Sequence, residues 1–268
     1  MIPAAQHLIT AADNFYRNLR IKPLYNQKMA ETKVFFLGEQ RMGYSSNLID
    51  EGYTAILVDG GFYKRRAHAV FGEKKPEERA DELDQYCKRH LKEKDHFHHL
   101  YRIFYYDCQP LDTHVFHPFT RKQIDLKKSD EYKWENEFFE VLKCKRKFAL
   151  RFGKLNARQA KYTLDHNVVK KLCSGDKTWA DVTEKDFKFS VDQKGVDMKI
   201  GLDIASMAYK KQVSQIVLIS GDSDFVAAAK LARREGIDFI LDPLGASVKE
   251  ELREHVDGLR TCDSAYKK

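Results

Sequence analysis

Four aspartates, Asp59, Asp197, Asp222 and Asp224, are the residues of this 268-residue chain whose type and placement could do chemistry. Asp59 closes the apolar run Ala55-Ile-Leu-Val58, Asp222 and Asp224 follow Ile216 to Ser220, and Asp197 opens the helix expected after a strand ending near Val191. One carboxylate at a strand end is ordinarily a helix cap or a turn residue. Four at one edge of a sheet need another explanation. Two carboxylates about 4–5 Å apart repel by about 3–4 kcal/mol at an effective dielectric of 20, and several such pairs would rival the ~5–15 kcal/mol that holds a whole domain together. An all-oxygen cluster without histidine or cysteine is the preferred surrounding of Mg2+ or Mn2+. Such an ion lowers the pKa of bound water and stabilises charge on a phosphate during in-line attack, so a phosphodiester is the expected substrate.

Asp203 poses a separate question. With Val196 at zero on a helical wheel, Asp203 falls at about −20°, inside the stripe of Ile200, Ile204 and Met207. A charge on a buried face needs a partner, so Asp203 is expected either against the metal cluster or in a buried hydrogen-bond network. Asp197 is the preferred ligand of the two, with Asp203 as a supporting group or alternative ligand.

The elements that must position these residues alternate between strand and helix. Apolar strands that do not alternate with polar residues argue for a mainly parallel sheet covered on both faces, with its sites beyond the C-terminal strand ends. Residues 1–52 lack a clear period and read as an N-terminal extension. The main domain spans 53–262, with an insertion around 156–185, and 263–268 form a tail. Strands are expected at Ala55–Val58, Tyr101–Tyr106, Phe148–Phe152, Phe187–Val191, Gln215–Ser220 and Phe239–Leu241. Pro76 opens a helix with Ala80, Leu83, Cys87 and Leu91 on one stripe. The final helix is predicted from the capping pair Ser247 and Glu250, with Val248, Leu252, Val256 and Leu259 facing inward.

Lysine and arginine number 47 against 40 acids, a net charge of +7. The segment Lys143–Lys161 holds eight cations and no acid, so this block carries +8 and the rest of the chain 7 − 8 = −1. A concentrated block of this kind suits a polyanion. Lys147, Arg151 and Lys154 are its candidate phosphate contacts, because backbone contacts position a nucleic acid without reading its bases. Phe148, Leu150 and Phe152 alternate with Lys147, Ala149 and Arg151 and should face the core.

Three pieces, Val58-Asp59-Gly60-Gly61-Phe62, then Lys194-Gly-Val-Asp197 through Asp203, then Ser220-Gly-Asp222-Ser-Asp224-Phe225, resemble in order the motifs of NYN-domain proteins of the LabA-like branch. These belong to the PIN-like nuclease superfamily. Leu252 to Asp257 is similar to that family's closing helix, and the resemblance covers about Thr54 to Arg260. It implies a three-layer α/β sandwich with a central, mainly parallel sheet flanked by helices. It also implies metal-dependent endoribonuclease activity, with Asp59, Asp197, Asp222 and Asp224 at the acidic positions. Many relatives place Asn three residues after the first Asp, where this chain has Phe62.

The expected function is therefore a cytoplasmic Mg2+- or Mn2+-dependent endoribonuclease acting on single-stranded RNA. The alternative is a non-catalytic RNA-binding or regulatory module, with a homo-oligomer or a protein partner left open. Ser220 and Ser223 lack the G-x-S-x-G elbow of a nucleophile, and both the dinucleotide fingerprint and the phosphate-binding P-loop are absent. His96, His98, His99, His114 and His117 lack the spacing of a closed zinc site and read as exposed loop residues. Five cysteines without a CxxC pair read as free thiols of a reducing compartment. No apolar run reaches the ~20 residues of a membrane span.

Overall fold

The computed structural model describes residues 49–93 and 96–267. Most of the N-terminal extension lies outside the described residues. Along the chain, β1 (Ile49–Asp59) leads into α1 (Gly60–Phe71) and α2 (Pro76–Arg89). The short β2 (Lys92–Glu93) turns back on β3 (His96–Cys108), and a hairpin of β4 (His114–His117) and β5 (Lys122–Asp125) precedes α3 (Asp130–Cys144) and β6 (Phe148–Leu155). An insertion of β7 (Lys161–Leu164), α4 (His166–Ser174) and β8 (Phe187–Ser190) follows. Then come β9 (Gln193–Lys194), α5 (Val196–Tyr209), β10 (Gln215–Ile219), α6 (Val226–Arg234), β11 (Asp238–Asp242), α7 (Glu250–Arg253) and β12 (Gly258–Leu259).

The main sheet has the order β12-β11-β10-β1-β3-β6-β9, and every pairing along it is parallel except that of β9 with β6. Its strands are apolar on both faces because both faces are covered. On one side Leu57, Phe104 and Leu218 pack with Ile200 and Ile204 of α5 and Ala229 of α6. On the other Ile56, Ile103 and Val217 pack with Tyr63 of α1, Leu83 of α2 and Phe138 of α3. This is the expected three-layer α/β sandwich. It brings the C-terminal ends of β1, β3, β6 and β10 to one edge.

Several local expectations are corrected. Phe187–Ser190 does not join the parallel sheet but pairs antiparallel with β7 in a two-stranded sheet of its own. Lys188, Phe189 and Ser190 are all exposed, which suits a small surface sheet and not a strand buried on both faces. The last helix is a single turn, and Leu259, expected on its inner stripe, lies in edge strand β12 and is exposed. Asp257 stops the helix: its amide donates to the Phe239 carbonyl, and its carboxylate accepts from the Phe239 amide, each at 2.8 Å, which pins the chain to the sheet edge. Nor are the histidines loop residues. His98 and His117 are buried, in β3 and β4 respectively.

Candidate active site at the C-terminal sheet edge

Asp59 is the last residue of β1 and the N-cap of α1, where its Oδ1 accepts from the Phe62 amide at 3.0 Å. Its Oδ2 accepts from the Ser220 hydroxyl at 3.2 Å, which ties the end of β1 to the end of β10. The Ser220 Oγ in turn accepts from the Asp222 amide at 3.2 Å, and the Asp222 carboxylate accepts from the Asp224 amide at 3.0 Å. One chain of hydrogen bonds thus runs from the first aspartate to the last two. Burial is the main cause that pushes the Asp59 carboxyl up; these hydrogen bonds and nearby Arg65 pull the other way, and the Asp107 charge adds to the rise.

Asp197 reaches the same edge from the first turn of α5, behind Gly195, whose φ of 81° places it in the left-handed region. Burial raises the Asp197 carboxyl first, and then the charges of Asp59, Asp222 and Asp224 raise it further. Three of the predicted acids therefore bear on the fourth, Asp197. None of them has a basic side chain within ion-pair distance among the described residues. Equally, no group of three or more His, Cys, Asp or Glu side chains among the described residues is drawn together as a ready-made ion cage.

The remaining predicted residues are placed differently. Asp203 accepts from the Tyr106 hydroxyl at 2.8 Å and from Arg151 Nε at 3.1 Å, the hydrogen-bond network being its surrounding. Arg151 also lies over the Phe104 ring at 5.2 Å, so its charge is engaged from two sides. Lys147 precedes β6, on the far edge of the sheet. Gly153 follows six positions on, about 20 Å of extended chain away, and the Lys147 ammonium donates to the Leu100 carbonyl. Lys154, exposed, stands opposite Lys194 in the β6–β9 pairing, three residues before Asp197. The basic block is thus not one surface: Lys143 pairs with Glu140, Lys145 with Asp81 and Arg151 with Asp203, and the strand carries the rest to opposite edges.

Sequence reasoning missed a second charged group at the same edge. Asp107, nearly fully buried near the end of β3, pairs with Lys64 Nζ at 3.0 Å and accepts from the Tyr105 hydroxyl at 3.1 Å. Lys64 also binds Glu135. Burial alone would push the Lys64 ammonium down, but its two carboxylate partners more than offset this and hold it up. The packing is close: a Cβ on Gly60 would lie 2.6 Å from Asp107 Oδ2. The signal was present, since Asp107 ends an apolar strand just as Asp59 does.

Comparison with known proteins gives a family. The NYN domain family matches residues 125–261. The matched segment includes Asp197, Asp222 and Asp224 but begins after β1, β3 and Asp59. No curated protein matches. Among solved structures, a Vibrio parahaemolyticus protein of unknown function is similar at 14% identity and a TM-score of 0.41, over 80% of this chain and 94% of that one.

Proposed function

This chain belongs to the NYN-domain family, and from that membership we propose that it is a metal-dependent endoribonuclease whose acidic edge is formed by Asp59, Asp197, Asp222 and Asp224. The family is part of the PIN-like nuclease superfamily, whose members generally use divalent metals. We place the chain in the LabA-like branch on the order of its Lys194-Gly-Val-Asp197 and Ser220-Gly-Asp222-Ser-Asp224-Phe225 segments. One observation carries the reading: the Asp197 carboxyl is raised by burial first and then by the charges of Asp59, Asp222 and Asp224, and no basic side chain among the described residues lies within ion-pair distance of any of the four.

That donor set fits a hard cation. It is all oxygen, and it is under mutual repulsion that a cation would relieve. Asp59, Asp197, Asp222 and Asp224 would hold Mg2+ or Mn2+. When bound, such an ion supplies a nucleophile at neutral pH and offsets the charge that builds on the phosphate. The chain's own residues supply placement. Ser220 and the Phe62 amide hold Asp59 in one orientation, and the Asp224 amide does the same for Asp222. Lys154 and Lys194, both exposed and paired in register across β6 and β9, are the candidate contacts for the RNA backbone. Arg151 and Lys147, already engaged, are weaker candidates for that role. Free cysteines and the lack of any membrane-length apolar helix among the described residues support placing the protein in the cytoplasm.

The test is cleavage of single-stranded RNA with Mn2+, wild type against Asp222→Asn. The variant should lose about 100-fold or more of the activity, as removal of one electrostatic stabiliser commonly does. Equal cleavage by both would remove Asp222 from the mechanism. A second reading, a non-catalytic RNA-binding module, is favoured by the absence of a preformed ion cage among the described residues. RNA affinity without turnover in Mg2+, Mn2+ or any other divalent ion would select it.

A further inference from the structure

Beside the acidic edge lies a groove of about 980 Å3 between the core and the insertion. Its rim is Gly61: a Cβ built there would stand 3.6 Å from both Asp59 Oδ1 and Arg65 Nη1, so the groove opens directly off the first aspartate. Arg65 is exposed and has no ion-pair partner within 4 Å among the described residues, although its charge is felt by Asp59. His68 continues the same face of α1 one turn on. The opposite wall belongs to the insertion. Tyr162 and Phe189 are directly opposed in the β7–β8 pairing and so share one face of that hairpin, with ring centroids 5.5 Å apart. That face lines the groove, and Phe189 leaves 37% of its surface uncovered there. Glu131 and Glu135 of α3 lie on the same lining, Glu135 paired with Lys64, while Lys74 and Arg79 of the lining are paired with Glu82.

We propose that this groove receives the unpaired base of the nucleotide next to the scissile phosphate, with Phe189 and Tyr162 as the stacking wall and Arg65 gripping the phosphate at the rim. The proposal rests on the nuclease reading for the identity of the scissile phosphate. Aromatic faces stack on any base, whereas a base held in a duplex cannot leave its neighbours without the cost of unstacking. A carboxylate on the lining such as Glu131 can accept a hydrogen bond from a base amino group. The groove's size suits one or two nucleotides rather than a helix. The ligand class is therefore a single-stranded nucleic acid, RNA on the nuclease reading, admitted one base deep.

The experiment measures binding of a fluorescein-labelled, mixed-sequence single-stranded RNA octamer, and of the same octamer in a duplex, to the full chain in EDTA by anisotropy. Cleavage of the octamer in Mn2+ is followed separately. Phe189→Ala and Arg65→Gln should each weaken single-strand binding by roughly tenfold. Phe189→Trp should bind like wild type, and so should Trp179→Ala, which removes a 72% exposed ring of the insertion outside the groove. Wild-type affinity for Phe189→Ala, or equal affinity for duplex and single strand, overturns the groove. Absence of cleavage by wild type in Mn2+ overturns the nuclease reading alone, since the EDTA arm still decides whether a base enters.

Discussion

The Phe62 ring lies against Gly221 so closely that a Cβ on the glycine would come within 2.5 Å of the ring. Phe62 belongs to the first motif and Gly221 to the last, and Gly221 sits between Ser220 and Asp222. Phe62 is therefore a packing partner of the acidic turn. Gly221→Ala should lower stability by about 1–3 kcal/mol, the usual range for overpacking, a fall of several degrees in melting temperature. Thermal unfolding checks this, and Phe62→Ala in the same chain should recover part of the loss. An unchanged melting temperature in Gly221→Ala would contradict the contact.

A second prediction follows from the raised Asp197 carboxyl. Its folded-state value lies above the unfolded value near 3.8 because burial and then Asp59, Asp222 and Asp224 disfavour the charge. The stability linked to this group is complete below the unfolded value and is lost as pH rises through the raised one. In metal-free protein at pH 7, Asp197→Asn should therefore be more stable than wild type, and its advantage should vanish near pH 4. Melts in EDTA across that window measure the difference. Lower stability of the variant at pH 7 would contradict the shared charge.

Ser220 offers a kinetic counterpart. Its hydroxyl is one of the groups that pull the Asp59 carboxyl down against the effect of burial. Ser220→Ala should raise that carboxyl further. The acid limb of the RNA-cleavage profile in Mn2+ should move to higher pH, because protonated Asp59 cannot serve as an anionic ligand. A profile identical to wild type would show that Asp59 ionisation does not limit the rate.

Asp242 is fully buried at the end of β11 and accepts from the Tyr86 hydroxyl, the Leu244 amide at 2.8 Å and the Thr261 hydroxyl at 2.9 Å, with His90 Nε2 also 2.9 Å away. Removing the shared acceptor leaves several buried donors unpaired. Asp242→Ala should cost about 3–5 kcal/mol, the usual result of breaking a buried polar pair. Its urea midpoint should fall with little change in slope. A loss below 1 kcal/mol would mean that the network relaxes freely.

The sandwich was legible because β1, β10 and β11 are apolar on both faces and each is followed by a helix. The four aspartates were legible because each stands at a strand end or helix start. What failed depended on partners far along the chain. Nothing local in Val256-Asp257 announces that its hydrogen bonds with Phe239 will end the helix. Nothing in Lys143–Lys161 shows that Asp81, Glu140 and Asp203 will take up its charges, or that β6 will carry Lys147 to the opposite edge from Lys154. Lys64 was invisible for the same reason, since its meaning lies in Asp107 and Glu135, 43 and 71 residues away.

The hydrogen bond from Ser220 to Asp59 joins positions 161 apart in sequence. Long-range closures of this kind form late, after local helices and hairpins, and domains fold as units while the ribosome delivers them from the N-terminus. A ribosome that has released only the first two hundred residues therefore carries a chain with half of its acidic edge missing. On the proposed nuclease reading, RNA cleavage must wait until Asp222 and Asp224 have been delivered and the β10 end has closed on β1.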